Sequence, residues 1–153
     1  MPKIYCGIDP GFKTGGVAFV SDDWAEVHDL PLWDHGGLRC YAFKELLDSL
    51  PVSSVVIEKQ GARPGQGVSS VFNLGMSYGQ ILGCLGTLEL KHVMVSPHMW
   101  KKHMKLGKEK DHARQLAMQL FPKLNDYLQR KKDEHRAEAL LLAKYLRETE
   151  VQS

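Results

Sequence analysis

The sequence predicts an α/β domain in which a mixed five-stranded sheet is flanked by helices, and three observations predict it. Val55-Val56-Ile57 is a run of three β-branched residues, the pattern of a strand buried on both faces. Three short strand patterns come first in the chain, and helical patterns then separate the later ones, an order that mixes antiparallel with parallel pairing. At 153 residues, with 43% hydrophobic and 25% charged residues, the chain suits one domain over residues 1–153 with a core large enough to fold unaided.

Residues 3–9 read as the first strand. Pro10 disfavours helical backbone at Asp9 and Pro10-Gly11 reverses the chain, so the Asp9 carboxylate stands at a strand end. Residues 15–20 are its antiparallel partner across that turn, and residues 26–32 a third short strand. A helix over residues 41–50 is stopped by Pro51, and the buried strand that follows closes on Glu58, an acid that needs a cation or a donor. Residues 61–67 form an exposed glycine-rich loop, and a long helix runs from Ser69 to Leu88. His92 to Val95 is a further strand, and Pro97 opens a short helix containing Trp100. The remainder reads as helical with a break near Pro122. Within it His135-Arg136-Ala137-Glu138-Ala139-Leu140-Leu141-Leu142-Ala143 is a strong helix former, so Glu138 projects from a buried face.

Composition narrows the chemistry. Cys6, Cys40 and Cys84 are odd in number and scattered, which fits neither a zinc site nor a disulfide frame and points to a reducing compartment. No apolar run is long enough for a bilayer. Met1-Pro2-Lys3 leads straight into a strand, so no signal or transit peptide and a cytoplasmic location, or the host's cytoplasm if the source is viral, are expected. The glycine loop lacks the Gly-Lys-Ser/Thr ending of a P-loop, so no nucleotide cofactor is expected. Net charge is only +2, yet residues 101–132 hold ten Lys or Arg against three acids, whereas residues 1–100 hold seven against ten. A basic block of that kind suits a polyanion such as nucleic acid.

Asp9, Glu58 and Glu138 stand in settings that can bring them together. Oxygen-only ligands from separate elements suit magnesium or manganese. Each acid also has an ordinary reading as turn, cap or solvated helix residue. The element order is ribonuclease H-like. Moreover, Gly7-Ile8-Asp9-Pro10-Gly11, Val56-Ile57-Glu58 and Ala137-Glu138-Ala139-Leu140 resemble the successive motifs of RuvC-type Holliday junction resolvases. Pro64-Gly65-Gln66-Gly67-Val68-Ser69-Ser70, Trp100-Lys101-Lys102 and Lys131-Lys132-Asp133 are similar to its phage and organellar branch. The resemblance implies a homodimeric endonuclease that cuts four-way junction DNA symmetrically with Mg2+ or Mn2+ and leaves 5′-phosphates. Two cations roughly 4 Å apart would activate water and stabilise the departing oxygen, with Asp9 bridging them. The remaining alternatives are another ribonuclease H-like nuclease acting on RNA or flap DNA, and a junction-binding protein without turnover.

The resemblance also nominates a fourth ligand in two ways. The RuvC pattern places an acid or histidine three residues before the last acid, which is His135, on the same helical face as Glu138. The closer branch matches Asp133, which either reaches the metal or caps the helix. The last acid is glutamate where many bacterial relatives have aspartate. Lys110 stands where relatives carry a lysine near the scissile phosphate. Lys13, Lys101, Lys102, Lys105, Lys108, Arg114, Lys131, Lys132 and Arg136 are expected phosphate anchors. Ser69 and Ser70 offer free helix amides to a phosphate. Relatives place an aromatic three residues after the second acid; here that position is Gly61, so Arg63 and Gln66 are the candidate substitutes for a wedge. Gly75, Gly79 and Gly83 recur every fourth residue on one helix, marking a dimer seam by resemblance or close packing on the chain's own sheet.

Overall fold

The computed structural model describes residues 2–109 and 111–152. Its elements are β1 (Tyr5–Asp9), β2 (Gly16–Val20), β3 (Ala25–Asp29), α1 (Cys40–Asp48), β4 (Ser54–Glu58), α2 (Val68–Thr87), β5 (His92–Val95), α3 (Pro97–His103), α4 (His112–Leu120) and α5 (Glu134–Gln152), with single 3-10 stretches at Pro122–Tyr127 and Lys131–Asp133. The sheet order is β3-β2-β1-β4-β5. β1, β2 and β3 pair antiparallel, whereas β4 runs parallel to β1 and β5 parallel to β4.

Strand parity decides which side each residue serves. In β1 and the residue before it, Ile4, Cys6 and Ile8 enter the core shared with α1 and α2, while Tyr5 enters the core beneath α5. In β4, Val55 and Ile57 face α1 and α2, and Val56 faces α5. Asp9 and Glu58 continue the α5-facing parity. Because Ile8 pairs with Ile57, the two acids leave neighbouring parallel strands side by side.

α5 packs directly across β1 and β2. A Cβ at Gly7 would collide with the Ala139 carbonyl and the Ala143 amide, and one at Gly16 with the His135 carbonyl. These two glycines let the helix lie against the strands, which brings His135 and Glu138 down to Asp9. Gly7→Ala is therefore expected to destabilise the fold by about 3 kcal/mol, a loss of roughly 10 °C in thermal melting.

The structure shortens or breaks several expected elements. The first strand begins at Tyr5, and the third ends at Asp29, beyond which Leu32 pairs only with Leu38. The expected helical remainder is interrupted after α3. Lys105 and Asp111 take left-handed backbone, and the Gly107 amide donates to His112 Nδ1 at 2.9 Å, closing a loop where a basic run resembles a helix. Among the described residues no helix is long and apolar enough to cross a membrane.

Candidate active site

The carboxylates of Asp9, Glu58 and Glu138 converge, each offering an oxygen within 4.8 Å of the others. Asp9 and Glu58 are buried at their strand ends and Glu138 is partly buried on α5. Burial, then mutual repulsion with Asp9 and Glu58, pushes Glu138 up to about 8. Burial raises Asp9 and Glu58 as well. Three clustered acids that are all raised, by burial first and at Glu58 and Glu138 by the charge of their neighbours next, form a site short of positive charge. An all-oxygen donor set with that deficit fits a hard divalent cation.

Two donors orient Glu58. The Trp100 indole Nε1 donates to Oε2 at 2.7 Å from a fully buried position, and Gln60 Nε2 donates to Oε1 at 3.2 Å. Ser96 makes this possible: its side chain caps α3 by accepting from the Met99 amide, and Pro97 occupies the first turn, setting the helix that carries Trp100. Trp100→Phe keeps the packing and removes the donor. It is expected to weaken Mn2+ binding about 10-fold in a calorimetric titration, the usual scale for an outer hydrogen bond to a metal ligand.

His135 reaches the cluster through Asp9. Its Nδ1 lies 2.7 Å from Asp9 Oδ2, and that hydrogen bond raises the imidazole pKa against the opposing effect of burial. His135 is thus a partner of Asp9, outside the trio of converging ligand atoms. Asp133 is placed differently from the expected metal ligand. Its side chain is buried, accepts from the Arg130 amide at 2.9 Å and pairs with the Arg130 guanidinium at 2.8 Å. Burial opposes its charge, yet Arg130 and Arg136 outweigh burial and hold its pKa below the usual range. Asp133 closes the turn before α5; with its oxygens committed to arginine it is corrected from metal ligand to cap.

Two expected phosphate anchors also have structural partners. Arg136 binds Asp29 at 2.8 Å and 3.1 Å and the Tyr127 carbonyl, tying α5 to β3. Arg114 pairs with Asp111 and donates to the Leu128 and Gln129 carbonyls. Both guanidinia are engaged by groups of the chain itself. In contrast Lys13, Lys102, Lys105, Lys108, Lys131 and Lys132 are exposed. Lys101 is half-buried, and its charge draws all three clustered acids downward, which places it beside them. A cleft of about 570 Å³ joins Glu138 to Lys101, Lys102 and Lys108. Lys110 lies outside the described residues.

The loop before α2 is exposed throughout. Arg63 and Gln66 bond to each other, the Gln66 side chain accepting from the Arg63 amide at 2.8 Å, and α2 follows the N-cap Gly67 without a side-chain cap, with Ser69 and Ser70 exposed in its first turn. Gly75, Gly79 and Gly83 have open space where a Cβ would stand, so packing against the chain's own sheet is not what they serve. They share α2 with exposed Val68, Phe72 and Met76, while Ser77, Ile81 and Leu85 hold the helix to the core.

Sequence reasoning passed over Trp100 as a donor to Glu58 and Lys101 as a neighbour of the acids. It also passed over Glu134, whose charge raises Asp9, His135 and Glu138. The signal for the first two was the Trp100-Lys101 pair at a helix start just after the strand paired with Glu58's own.

No protein-family model matches the chain, and no curated protein matches it by sequence. Solved structures do match. Thermus thermophilus RuvC in complex with a Holliday junction substrate superposes with a TM-score of 0.69 at 15% identity, covering 96% of each chain. The yeast mitochondrial Holliday junction resolvase Ydc2 gives 0.65 at 15% identity, covering 97% of this chain and 79% of that one. The fowlpox virus Holliday junction resolvase gives 0.55 at 17% identity over 95% and 99%. The fold is therefore the ribonuclease H-like fold of RuvC.

Proposed function

We propose that this chain is a divalent-cation-dependent endonuclease that resolves four-way DNA junctions as a two-fold dimer, leaving 5′-phosphate ends. The observation that carries the proposal is the convergence of Asp9, Glu58 and Glu138 within 4.8 Å on the fold of RuvC, beside a lysine-lined cleft. The three acids would hold Mg2+ or Mn2+, two per site, which when bound supply a nucleophilic water at neutral pH and stabilise the departing oxygen. Trp100 and Gln60 set the direction of Glu58. His135, held at Nδ1 by Asp9, keeps Nε2 to give a proton to the departing strand. Lys101, Lys102 and Lys108 position the phosphate. The exposed stripe of Gly75, Gly79 and Gly83 with Phe72 and Met76 supplies the seam for a second copy, whose symmetry matches that of the junction.

Purified protein with Mg2+ is expected to cut a synthetic four-way junction into nicked duplexes bearing 5′-phosphates, and to cut nothing with EDTA. Junction binding without cleavage in either Mg2+ or Mn2+ would favour an architectural protein. Cleavage confined to RNA or flaps would favour another ribonuclease H-like nuclease. Binding should fall steeply with salt, on the order of 1000-fold between 50 and 200 mM, as expected when about six lysines contact phosphates. Lys102→Ala should make the log–log salt slope shallower by about one. Arg114→Ala should instead lower thermal stability and leave that slope unaltered.

A further inference from the structure

His135 lines a second cleft, of about 400 Å³, together with Lys13, Arg130, Lys132 and Trp33. We propose that Trp33 is a stacking platform for an exposed nucleobase face at the branch point of the DNA, next to the phosphate that is cut. This inference rests on the junction-nuclease reading and gives it a base-binding element.

Trp33 keeps 51% of its surface in water on the wall of this cationic cleft, where a ligand can reach it. Trp33 is also held still. Its amide donates to the Gly37 carbonyl and its carbonyl accepts from the Gly36 amide, both at 2.9 Å, making a tight turn. Gly36 has φ +101, and a Cβ there would strike the Phe12 ring, so the turn is seated on the β1–β2 connection. The Gly37 amide donates to the Phe12 carbonyl and the Leu38 amide to Gln80 Oε1 on α2. The Arg39 guanidinium sits over one face of the ring, 5.0 Å from its centroid, and the His35 ring lies nearly parallel at 6.2 Å, so a base would have to stack on the surface these two leave in water. The indole thus stands on a fixed backbone turn with a cation against it.

Charge selects the occupant. Asp29 and Asp133 on this cleft are neutralised by Arg136 and Arg130. Among the described residues Lys13 and Lys132 have no ion-pair partner, and Asp34 is the one unpaired acid they face. A surplus of cations around an aromatic ring suits a polyanion carrying flat π-faces, which describes nucleic acid. Intact duplex presents base edges and not faces. A free face therefore means an unpaired base or the terminal pair at an exchange point, and the His135 wall puts that base beside the acids.

The test uses full-length protein carrying Asp9→Asn, so that DNA is bound without being cut, with and without Trp33→Ala, and four-way junctions carrying 2-aminopurine at each position around the exchange point. One position should change its fluorescence on binding, and Trp33→Ala should abolish that change and weaken junction binding about 10-fold, whereas Trp33→Phe should stay within about 3-fold. Circular dichroism and melting verify that each variant is folded. Equal affinity and an unaltered 2-aminopurine signal in Trp33→Ala would overturn the proposal. If the protein with Asp9 intact cuts junctions with no dependence on Trp33, the nuclease reading stands and this site falls. If it cuts no junction, yet oligothymidylate quenches tryptophan fluorescence in a Trp33-dependent way, the site stands and the nuclease reading falls.

Discussion

Asp9→Asn is expected to slow junction cleavage on the order of 1000-fold, about 4 kcal/mol of transition-state stabilisation, while leaving junction binding within about 2-fold. Asp9 is central to the cluster in two respects. Its charge raises both Glu58 and Glu138, and its Oδ2 is the atom that holds His135. Asparagine keeps the shape, removes the charge needed to hold a cation, and leaves the exposed lysines unaltered. The same substitution should raise the melting temperature of the metal-free protein, since one of three mutually repelling acids becomes neutral. Gel mobility shift and single-turnover cleavage measure the two arms separately. Equal loss of binding and cleavage would mean that Asp9 serves the fold or the DNA surface and not the chemistry.

The second large effect concerns pH and metal together. Glu138 has a folded-state pKa of about 8 against an ordinary value of 4.5, because burial and then Asp9 and Glu58 disfavour its charge. A group whose folded pKa lies above its unfolded one favours the folded state at low pH, and that stability is lost as pH rises from the unfolded value through the folded one. Asp9, Glu58 and His135 are raised too and act in the same direction. Asp133 and Glu150 are lowered and act oppositely, losing stability below their ordinary range. Metal-free protein should therefore be most stable near about pH 5 and lose on the order of 3 to 5 kcal/mol by about pH 9. Added Mg2+ or Mn2+ should reverse the alkaline loss, stabilise more as pH rises, and release protons on binding. Melting temperatures across pH with EDTA and with each metal check this; a metal effect independent of pH would contradict it.

Much of the site was legible because strand parity is a local property. Asp9 and Glu58 each close an apolar strand, and the alternation along β1 and β4 puts both on the α5 side once those strands are parallel neighbours. The Ala-Leu run of α5 marked its buried face, so Glu138 had one direction to point. What stayed hidden depended on partners remote in sequence. Arg136 reads as a phosphate anchor until Asp29, 107 residues away, is seen beside it. Trp100 reads as core until Glu58, 42 residues away, is seen accepting its N–H. Asp133 had two readings that differ only in where Arg130 points. The basic stretch after α3 has the composition of a helix, and left-handed backbone at Lys105 and Asp111 breaks it.

The most direct measurement of the central claim is anomalous scattering from crystals of the protein soaked in Mn2+ and bound to junction DNA. Manganese peaks coordinated by oxygens of Asp9, Glu58 and Glu138 are expected, with His135 still bonded to Asp9. Saturating Mn2+ with no peak at these three carboxylates, or with the ion held by other residues, would contradict it.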